Sequence, residues 1–460
     1  MLLLDDHGNV RYQTSCDSTS YACELGYQAL DTKACESWLR SSFRGLGELA
    51  LQLRRVIFAT HGAALAGLTG GQLAFPIPDY EASVFDDRDE MLGEEIDSFS
   101  ETQSPLLPRG LNLGVQLDWL HRNAPEQLAA TETLMPYAQY WTWWLSGGKA
   151  SEVSSLGCHS LLWRPAQCEF SSWAFRRGWA QRFAPIRKAW EVIGLIRPNL
   201  ADELGLPRHV QVHIGVHDSS ACLARYLREW PRMTLVSSGT WMVVMSIGGV
   251  ARNLRAELDQ LGNVSVRGAA VPTGRFMGGR ELERLCAGAD PGSATLTRVE
   301  GLLRRRLRIV PCFEPQGGAF SQNPGEIWFD GNRLSLEDWR LQVEPEDRAT
   351  AGAIYLAQMT AWTIRALGGL SPIVIEGPLA HNTVAASVLS ALLQGAEVYV
   401  SREPVEGTAF GTWMLTKWRS PVSFHPAVDR MNCHPALTAM LIGDWQLWSD
   451  ALPVVEARAV

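Results

Sequence analysis

The sequence has no cysteine spacing typical of disulfides or zinc sites, no dense cluster of Lys and Arg, and no uninterrupted apolar stretch long enough to cross a membrane. Nine cysteines are scattered along the 460 residues without a CxxC pair, which excludes a disulfide framework and gives no support to a zinc site. Lys and Arg together number 41 against 49 for Asp and Glu, and the formal net charge is −8. Because no group of Lys and Arg is dense enough to follow a phosphate backbone, nucleic acid is not an expected partner.

Membrane and export signals are also missing. The uncharged stretch at residues 233–251 is broken by Ser237-Ser238-Gly239-Thr240, which predicts two strands joined by a turn rather than a membrane span. Asp5 and Asp6 follow only three leucines, so the beginning of the chain has no signal-peptide pattern. We therefore expect a cytoplasmic protein that does not bind a membrane.

What is present is typical of a folded α/β protein. The composition is 46% hydrophobic and 20% charged, and the length fits about three average domains or two larger α/β domains. Segments with strand patterns and segments with helix patterns alternate, which favours an α/β architecture. We predict a boundary just before Trp230-Pro231, with domains at residues 1–228 and 229–460.

The apolar periodicity predicts individual elements, beginning with a β-hairpin. Strands are expected at residues 2–4, 10–13, 56–59, 210–214, 373–376 and 397–400, and on both sides of a turn within 235–247. Helices are expected at residues 113–121, 137–144, 218–227, 349–367 and 383–393.

An acidic residue lies at the junction of a predicted strand and a predicted helix. Asp218 follows Gly215-Val216-His217 and precedes Ser219-Ser220-Ala221. A carboxylate held at a helix N-terminus stays ionised and fixed in position, as a general base must. The same position suits a helix N-cap, so the residues alone leave both roles open.

Two loops contain residue types that contact phosphates or flat ligands. Ser237-Ser238-Gly239-Thr240 would present backbone amides and hydroxyls to a phosphate, although an ordinary hairpin turn has the same composition. Glycine in the loop 376–382 lets a ligand approach the backbone at the end of a strand. An ordinary loop between a strand and a helix also fits that segment.

Taken in order and with their spacing, these segments resemble the FGGY family of carbohydrate kinases. The resemblance covers nearly the whole chain, from Leu2 to about Trp418. Six segments from residue 218 onward resemble family motifs. They are Asp218 with Ala221 (catalytic Asp), Ser238-Gly239-Thr240 (hairpin on the nucleotide phosphates), Met277-Gly278-Gly279 (glycine turn near the nucleotide), residues 310–320 (P…G…P(Y/F)W), Gly377 to Asn382 (adenosine loop, with Pro378 in place of a glycine) and Glu406 to Gly411 (E-x-T-A-x-G).

The first half carries three further similarities. They are Thr60-His61-Gly62, which resembles the turn that contacts the sugar, residues 78–81 around Asp79, which resemble W-x-D-x-R, and residues 136–147, which resemble the P-K-D-x-L…L-T-G helix. The length, the Thr60-His61-Gly62 turn and the loop at 376–378 are most similar to the ketose and deoxyketose kinases, such as rhamnulokinase and fuculokinase.

The resemblance implies two ribonuclease-H-like domains of the actin-like ATPase type, with a cleft between them. It also implies ATP with Mg²⁺ as the phosphoryl donor, a sugar as the acceptor and Asp218 as the general base of in-line transfer. A homodimer is compatible with it, and no residue is assigned as a metal ligand. The implied sugar-binding residues are Thr60, His61, Gly62, Asp79 and His217, and the implied nucleotide-binding residues are Ser238, Gly239, Thr240, Gly278, Gly279, Gly377 and Asn382.

One family motif has no counterpart in the sequence. Residues 2–4 resemble the family's second strand, whereas its first strand carries D-x-G-T-T and cradles the transferred phosphoryl group. Without that strand we expect poor solubility and little activity. Two hypotheses remain: an ATP-dependent sugar kinase whose start lies upstream or whose chain is slightly truncated, and a catalytically silent protein that binds sugar or nucleotide.

Overall fold

The structure, a computed structural model, describes residues 1–88, 92–250, 253–315, 317–402, 407–420 and 425–455. Strands and helices follow one another along most of this length, so the predicted α/β class is confirmed. Glu406, the first residue of one predicted motif, lies outside the described residues.

The elements are numbered here in chain order. The strands are β1 Leu2–Leu4, β2 Val10–Gln13, β3 Ser20–Ala22, β4 Gln28–Leu30, β5 Arg55–Val56, β6 Ala59–Thr60, β7 Leu65–Thr69, β8 Gln72–Leu73, β9 Thr133–Pro136, β10 Ser151–Glu152, β11 Trp163–Arg164, β12 Glu169–Phe170, β13 Ile186–Arg187, β14 Val192–Leu195, β15 Gln211–His213, β16 Val216–His217, β17 Met233–Ser238, β18 Met242–Ile247, β19 Gln260–Val264, β20 Ala270–Phe276, β21 Arg308–Val310, β22 Glu326–Phe329, β23 Asn332–Leu334, β24 Ile373–Glu376, β25 Val398–Ser401 and β26 Val428–Met431. The α-helices are α1 Thr32–Arg44, α2 Leu92–Glu95, α3 Phe99–Thr102, α4 Leu113–Asn123, α5 Pro125–Ala130, α6 Tyr137–Ser146, α7 Val153–Leu156, α8 Ser172–Arg176, α9 Pro198–Leu204, α10 Asp218–Leu227, α11 Gly278–Cys286, α12 Leu296–Arg304, α13 Leu336–Gln342, α14 Pro345–Ala366, α15 Thr383–Leu392, α16 Gly407–Leu415 and α17 Pro435–Asp450.

The described residues form two compact units. The first unit comprises those of Met1–Arg228, Gly262–Ala270 and Val405–Phe424. The second unit comprises those of Glu229–Leu261, Val271–Pro404 and His425–Val460. Two segments from the second half of the sequence therefore pack with the first half.

Short parallel strands form the part of the first unit that carries the predicted site. β5 and β6 pair in parallel with β15 and β16, and β14 adds an antiparallel edge to β15. The predicted strand 56–59 is split in two, because Gly215, at φ +89°, bends the partner strand between β15 and β16. Gln139 and Thr142 of α6 donate hydrogen bonds to the carbonyl oxygen of Ile214, and these bonds hold the helix against the bent strand.

A larger sheet organises the second unit. Its strand order is β19-β20-β18-β17-β24-β25-β26. β17 pairs antiparallel with β18 and parallel with β24, so a hairpin and a crossover strand meet along β17. The long helix α14 is buried over most of its 22 residues. None of the helices in the described part of the chain has the length and apolar content that a membrane crossing needs.

Most predicted elements are confirmed, with shifted ends. The hairpin of β1 and β2, the hairpin of β17 and β18, strand β24 and helix α10 lie where the pattern predicts them. Helix α14 begins at Pro345, before the predicted start at residue 349, because its first turn is polar and contains Glu346 and Asp347. These acidic residues suit a helix N-terminus but do not contribute to apolar periodicity.

Helix α10 is fixed in the first unit by a close backbone contact with α16. A Cβ atom built on Gly411 of α16 would lie 1.8 Å from the carbonyl oxygen of Ala221 in α10. Only glycine permits this separation between the two helices. Because Asp218 is the first residue of α10, the contact also fixes where that carboxylate lies.

Replacing Gly411 with Ala is therefore expected to destabilise the first unit. The methyl group would overlap a backbone oxygen, and overpacking of this kind costs about 1–3 kcal/mol. Gly443→Ala is the control, since Gly443 lies within helix α17 with nothing near its Cβ position, and there Ala should stabilise by about 0.5–1 kcal/mol. Urea unfolding followed by circular dichroism measures both changes. If the Gly411→Ala protein is as stable as the parent, the two helices do not pack this closely at Gly411 and Ala221.

Candidate active site

The pairing of β6 with β16 brings the sugar-site residues predicted in the first unit together. Thr60 lies opposite His217 in this parallel pair. His61-Gly62 directly follows β6, and Asp218 directly follows β16. Since the carboxyl ends of parallel strands meet at the same edge, residues far apart in sequence become neighbours there.

Asp218 combines a fixed position with access from outside. It lies one position inside α10, because the N-cap position belongs to His217. Its Oδ1 atom accepts hydrogen bonds from the Ser219 amide at 2.5 Å and the Ser219 hydroxyl at 3.2 Å. Its Oδ2 atom has no partner among the described residues, and the side chain is 40% exposed. One carboxylate oxygen is therefore held while the other is available to a ligand.

The buried side chain of His217 contacts this carboxylate. Its Nε2 atom is 3.1 Å from Asp218 Oδ1 and 3.2 Å from Cys158 Sγ. Burial lowers the pKa of His217, and the nearby Asp218 charge opposes that shift. A Cβ atom on Gly62 would come within 2.9 Å of Cys158 Sγ and 3.1 Å of the His217 ring, so this turn requires glycine. Because the His217 ring is buried, its direct contact with a sugar stays a prediction.

His61 lies in an aromatic setting beside two carboxylates. Its ring centroid is 5.2 Å from that of Tyr80 and 5.6 Å from that of Tyr137. Burial lowers the pKa of His61, whereas the charges of Asp218 and Asp79 raise it. Burial raises the pKa of Tyr80, and the same two carboxylates add to that shift. Asp79 and Asp218 are therefore close enough to His61 and Tyr80 for their charges to act on the pKa values of both.

A buried carboxyl behind the site was not predicted from the sequence. The Glu152 Oε2 atom accepts hydrogen bonds from the Ser154 hydroxyl and from the amides of Ser154 and Ser155. The Ser154 hydroxyl in turn accepts a bond from the His217 amide at 3.3 Å. Burial raises the pKa of Glu152 to about 7, against the opposing effect of these hydrogen bonds. Glutamate is not among the residues that usually cap a helix N-terminus, so no local pattern in the sequence marks the role of Glu152.

The loops predicted to bind nucleotide meet at the ends of β17 and β24 in the second unit. The Ser238 hydroxyl donates to the Glu376 carbonyl and accepts a bond from the Leu379 amide at 2.9 Å. Gly377 has φ +74°, and a Cβ atom there would lie 2.1 Å from the Ser238 carbonyl oxygen. Glycine is therefore required where the two loops touch.

The start of α11 lies against the same hairpin turn. The Gly279 amide donates to the Thr240 carbonyl at 3.2 Å, and a Cβ atom on Gly279 would lie 2.3 Å from the Gly239 carbonyl oxygen. Gly278 is buried against Met242. Gly239 and Thr240 are exposed, but the Gly239 amide is already bonded to the Trp241 carbonyl. The Thr240 side chain thus lies in an open part of this surface.

Asn382 has a structural role of its own. Its side-chain oxygen accepts a hydrogen bond from the Ala385 amide at 3.0 Å and caps α15. Gly377 is the first residue of the short 3₁₀ turn Gly377–His381, and Asn382 directly follows that turn. The cap leaves the donor end of the Asn382 amide free of described partners.

The structure brings the predicted residues together in two groups, one in each unit. The first-unit group is Thr60, His61, Gly62, Asp79, His217 and Asp218, and the second-unit group is Ser238, Gly239, Thr240, Gly278, Gly279 and Gly377, followed by Asn382. Across the described ranges, no three His, Cys, Asp or Glu side chains are arranged to hold a metal ion.

Two family models match the chain. The model described as "FGGY family of carbohydrate kinases, N-terminal domain" matches residues 92–224. The model described as "Carbohydrate kinase FGGY, C-terminal domain" matches residues 231–423. A comparison with curated proteins found no significant match.

Solved structures with the same fold include several carbohydrate kinases. A carbohydrate kinase from Novosphingobium aromaticivorans is 32% identical, with 97% of this chain and 96% of that chain covered and a TM-score of 0.85. A xylulose kinase from Rhodospirillum rubrum is 16% identical over 98% of this chain and 95% of its own, with a TM-score of 0.75. A Plasmodium falciparum glycerol kinase with ADP is 10% identical over 98% and 95%, with a TM-score of 0.71. The last two likenesses concern the fold alone.

The raised pKa of Glu152 predicts a pH-dependent loss of stability. A carboxyl whose pKa is higher in the folded than in the unfolded chain favours folding at low pH. That contribution is lost as the pH rises from the ordinary glutamate value through about 7. Glu152→Gln cannot titrate, so between pH 5 and pH 8 it should gain up to about 3 kcal/mol relative to the parent.

Unfolding midpoints at several pH values measure this difference. Glu48→Gln is the matched control, because Glu48 is an exposed carboxyl in the same unit and its replacement should leave the profile unchanged. Parallel pH profiles for the parent and Glu152→Gln would show that the buried carboxyl does not titrate in this range.

Proposed function

The chain belongs to the FGGY family of carbohydrate kinases, and from this premise we propose that it transfers the γ-phosphate of ATP to a hydroxyl of a ketose or deoxyketose such as rhamnulose, fuculose or xylulose. As a member of the family it is a sugar kinase, and its fold comprises two actin-like ATPase domains. The observation that carries the finer proposal is the pairing of β6 with β16, which brings His61 and Asp218 to the same edge of the sheet. The charge of Asp79 also acts on His61, where it opposes the lowering of the pKa by burial.

Asp218 is the proposed general base. Its carboxylate is in the first turn of α10, at the N-terminal end of the helix. The bonds from Ser219 fix one oxygen, and the other is open to a hydroxyl. No Lys or Arg side chain among the described residues forms an ion pair with it. The geometry supports acceptance of a proton by Asp218 Oδ2.

His61, Asp79 and the aromatic rings are the proposed sugar site. A ketose presents hydroxyls together with faces of C–H bonds, and Tyr80 and Tyr137 offer apolar surface for such faces. The Asp79 Oδ1 atom accepts a hydrogen bond from the Glu81 amide, and this bond orients the Asp79 carboxylate. The His61 Nδ1 atom is buried without a partner in the described part of the chain, so no protein group imposes one tautomer. The ring can therefore donate to or accept from a sugar hydroxyl at Nε2.

The turn Ser238-Gly239-Thr240 and the glycines beside it are the proposed nucleotide site. A Cβ atom at Gly279 or Gly377 would meet a backbone carbonyl oxygen of the turn, so both glycines let the neighbouring loops pack against the turn and form one surface for a flat or phosphorylated ligand. Asn382 would add the donor end of its amide. Mg²⁺ is expected to accompany ATP through its phosphates, since no metal-binding cluster exists among the described side chains.

The proposed transfer has one proton and one phosphoryl group to move. Asp218 accepts the proton of the sugar hydroxyl while the hydroxyl oxygen forms a bond to the γ-phosphorus, and the bond from that phosphorus to the bridging oxygen of ADP breaks. The Thr240 hydroxyl is a donor for the phosphoryl oxygens. Positioning and electrostatic stabilisation supply most of the rate enhancement in reactions of this kind.

Asp218→Asn tests the proposed base. The amide keeps the shape of the side chain but cannot accept the proton, so turnover should fall by about 10²–10⁴-fold with sugar affinity retained. Sugar-dependent ADP release measures turnover, and calorimetry measures sugar binding. Asp202→Asn, at an exposed surface ion pair, is the control. Turnover within about threefold of the parent would exclude Asp218 as the base. Absence of turnover in the parent would instead favour the silent sugar- or nucleotide-binding protein.

Gly377→Ala tests the nucleotide site. The new methyl group would meet the Ser238 carbonyl and would also need a positive φ, so ATP binding should weaken much more than sugar binding. Gly395→Ala is the control, because Gly395 in the same unit also has a positive φ, +84°, but nothing lies within 4 Å of its Cβ position. Calorimetric titrations with an ATP analogue and with the sugar separate the two effects. Equal losses for both ligands would indicate a folding defect instead.

A further inference from the structure

The first unit contains a cavity that is lined by elements the proposed reaction does not use. Its volume is about 900 Å³. It is lined by the turn between β1 and β2, the start of β5, strand β15, the segment before β14 and the residues that follow α16. Trp190 and Trp418 stack in its wall with ring centroids 5.1 Å apart. This stack makes one side of the cavity rigid and apolar.

The charges around this cavity are predominantly positive. Lys417 is paired with Asp6 at 2.7 Å, and Arg187 is paired with Glu191 at 2.6 Å. Arg54 and Arg55 also line the cavity and are exposed, and within the described ranges neither forms an ion pair. The hydrogen bond from Lys417 lowers the pKa of Asp6, and the charges of Arg54 and Arg55 add to that shift. Two guanidinium groups without anionic partners therefore face the same space.

A buried histidine with a free acceptor atom lines the same cavity. His213 is 3% exposed, and its Nδ1 atom lies 2.9 Å from the Trp190 carbonyl oxygen. A carbonyl oxygen only accepts, so Nδ1 carries the hydrogen and Nε2 of the neutral ring carries a lone pair. Burial lowers the pKa of His213 and favours this neutral ring. In the described part of the chain Nε2 has no hydrogen-bond partner, which is costly for a buried polar atom.

Strand register puts the histidine and one arginine on the same side of the sheet. Gln211 of β15 lies opposite Arg55 of β5 in a parallel pair. Since side chains alternate along a strand, His213 shares the face of Gln211 and of Arg55. His213 and Arg55 therefore border the cavity from the same face of the sheet.

We propose that this cavity binds a small oxyanion that also carries a hydroxyl group. Arg54 and Arg55 would bind the phosphate or carboxylate, because guanidinium groups match the geometry of both. The hydroxyl would donate its hydrogen to His213 Nε2, and the carbon chain would lie against Trp190 and Trp418. This site is separate from the groups around Asp218 and does not depend on the proposed phosphoryl transfer.

Calorimetry on the full chain at low ionic strength tests the proposal with three probes. Glycerol 3-phosphate and glycerate both combine an anionic group with hydroxyls, whereas glycerol has the hydroxyls alone. At least one anion should bind with a Kd below about 1 mM, and glycerol should not bind measurably. Stronger binding of the phosphate probe would identify a phosphomonoester site, and stronger binding of glycerate would identify a hydroxycarboxylate site.

Three variants assign the binding to this cavity. Arg55→Met should weaken the anion by about tenfold or more, and Arg54→Met should act in the same direction. His213→Asn keeps a donor for the Trp190 carbonyl but has no atom in place of Nε2, and it should also lose affinity. Arg208→Met is the matched control, because Arg208 is an exposed arginine of the same unit outside the cavity.

Two further measurements separate this site from the proposed active site and from misfolding. Asp218→Asn should bind the anion as the parent does, and the arginine variants should unfold at the parent's temperature, since both arginines are exposed. The proposal is overturned if neither anion binds the parent protein. It is also overturned if folded Arg54→Met and Arg55→Met proteins bind the anion with unchanged affinity.

Discussion

The parallel pairing of β6 with β16 is the constraint on which the candidate site depends. It places Thr60 opposite His217, and the chain leaves both strands at the same edge of the sheet. Other features of the first-unit site build on that pairing. Gly215, with its positive φ, lies between β15 and β16, and Gly62 leaves room for the side chains of Cys158 and His217. Helix α10 begins with Asp218 at the edge of the sheet. The second unit repeats the principle, since β17 and β24 run parallel and deliver their loops to one place.

Buried polar groups make the first-unit site rigid. The Ser154 amide and hydroxyl donate to Glu152, and the His217 amide donates to the Ser154 hydroxyl, so these bonds connect a carboxyl in the interior to the residue before Asp218. A buried carboxyl reduces stability unless it is hydrogen-bonded or protonated, and here both the helix-start amides and the raised pKa reduce that cost. Burial also lowers the pKa values of His217 and His61, and the charge of Asp218 opposes both shifts.

The sequence predicts the parts of this protein that depend on local patterns. The hairpin of β17 and β18, strand β24 and the start of α10 follow from apolar runs interrupted by glycine, serine and threonine. Glu152 was missed because a glutamate before a four-residue helix looks like any surface residue until its burial is known. The first-unit membership of residues 262–270 and 407–420 was missed as well, since it arises from packing between distant segments and has no local pattern. The cavity beside His213 likewise arises from five separate parts of the sequence.

The close packing of α10 and α16 also affects the order in which this protein is made. The Thr408 hydroxyl lies 3.5 Å from the carbonyl oxygen of Asp218, although the two residues are 190 positions apart. On a ribosome that adds about 5–20 residues per second, α10 emerges some 10–40 seconds before the helix that covers it. During that interval the apolar face of α10 against α16 is open to solvent or to chaperones. The first unit therefore acquires its final packing only when most of the second unit has already been synthesised.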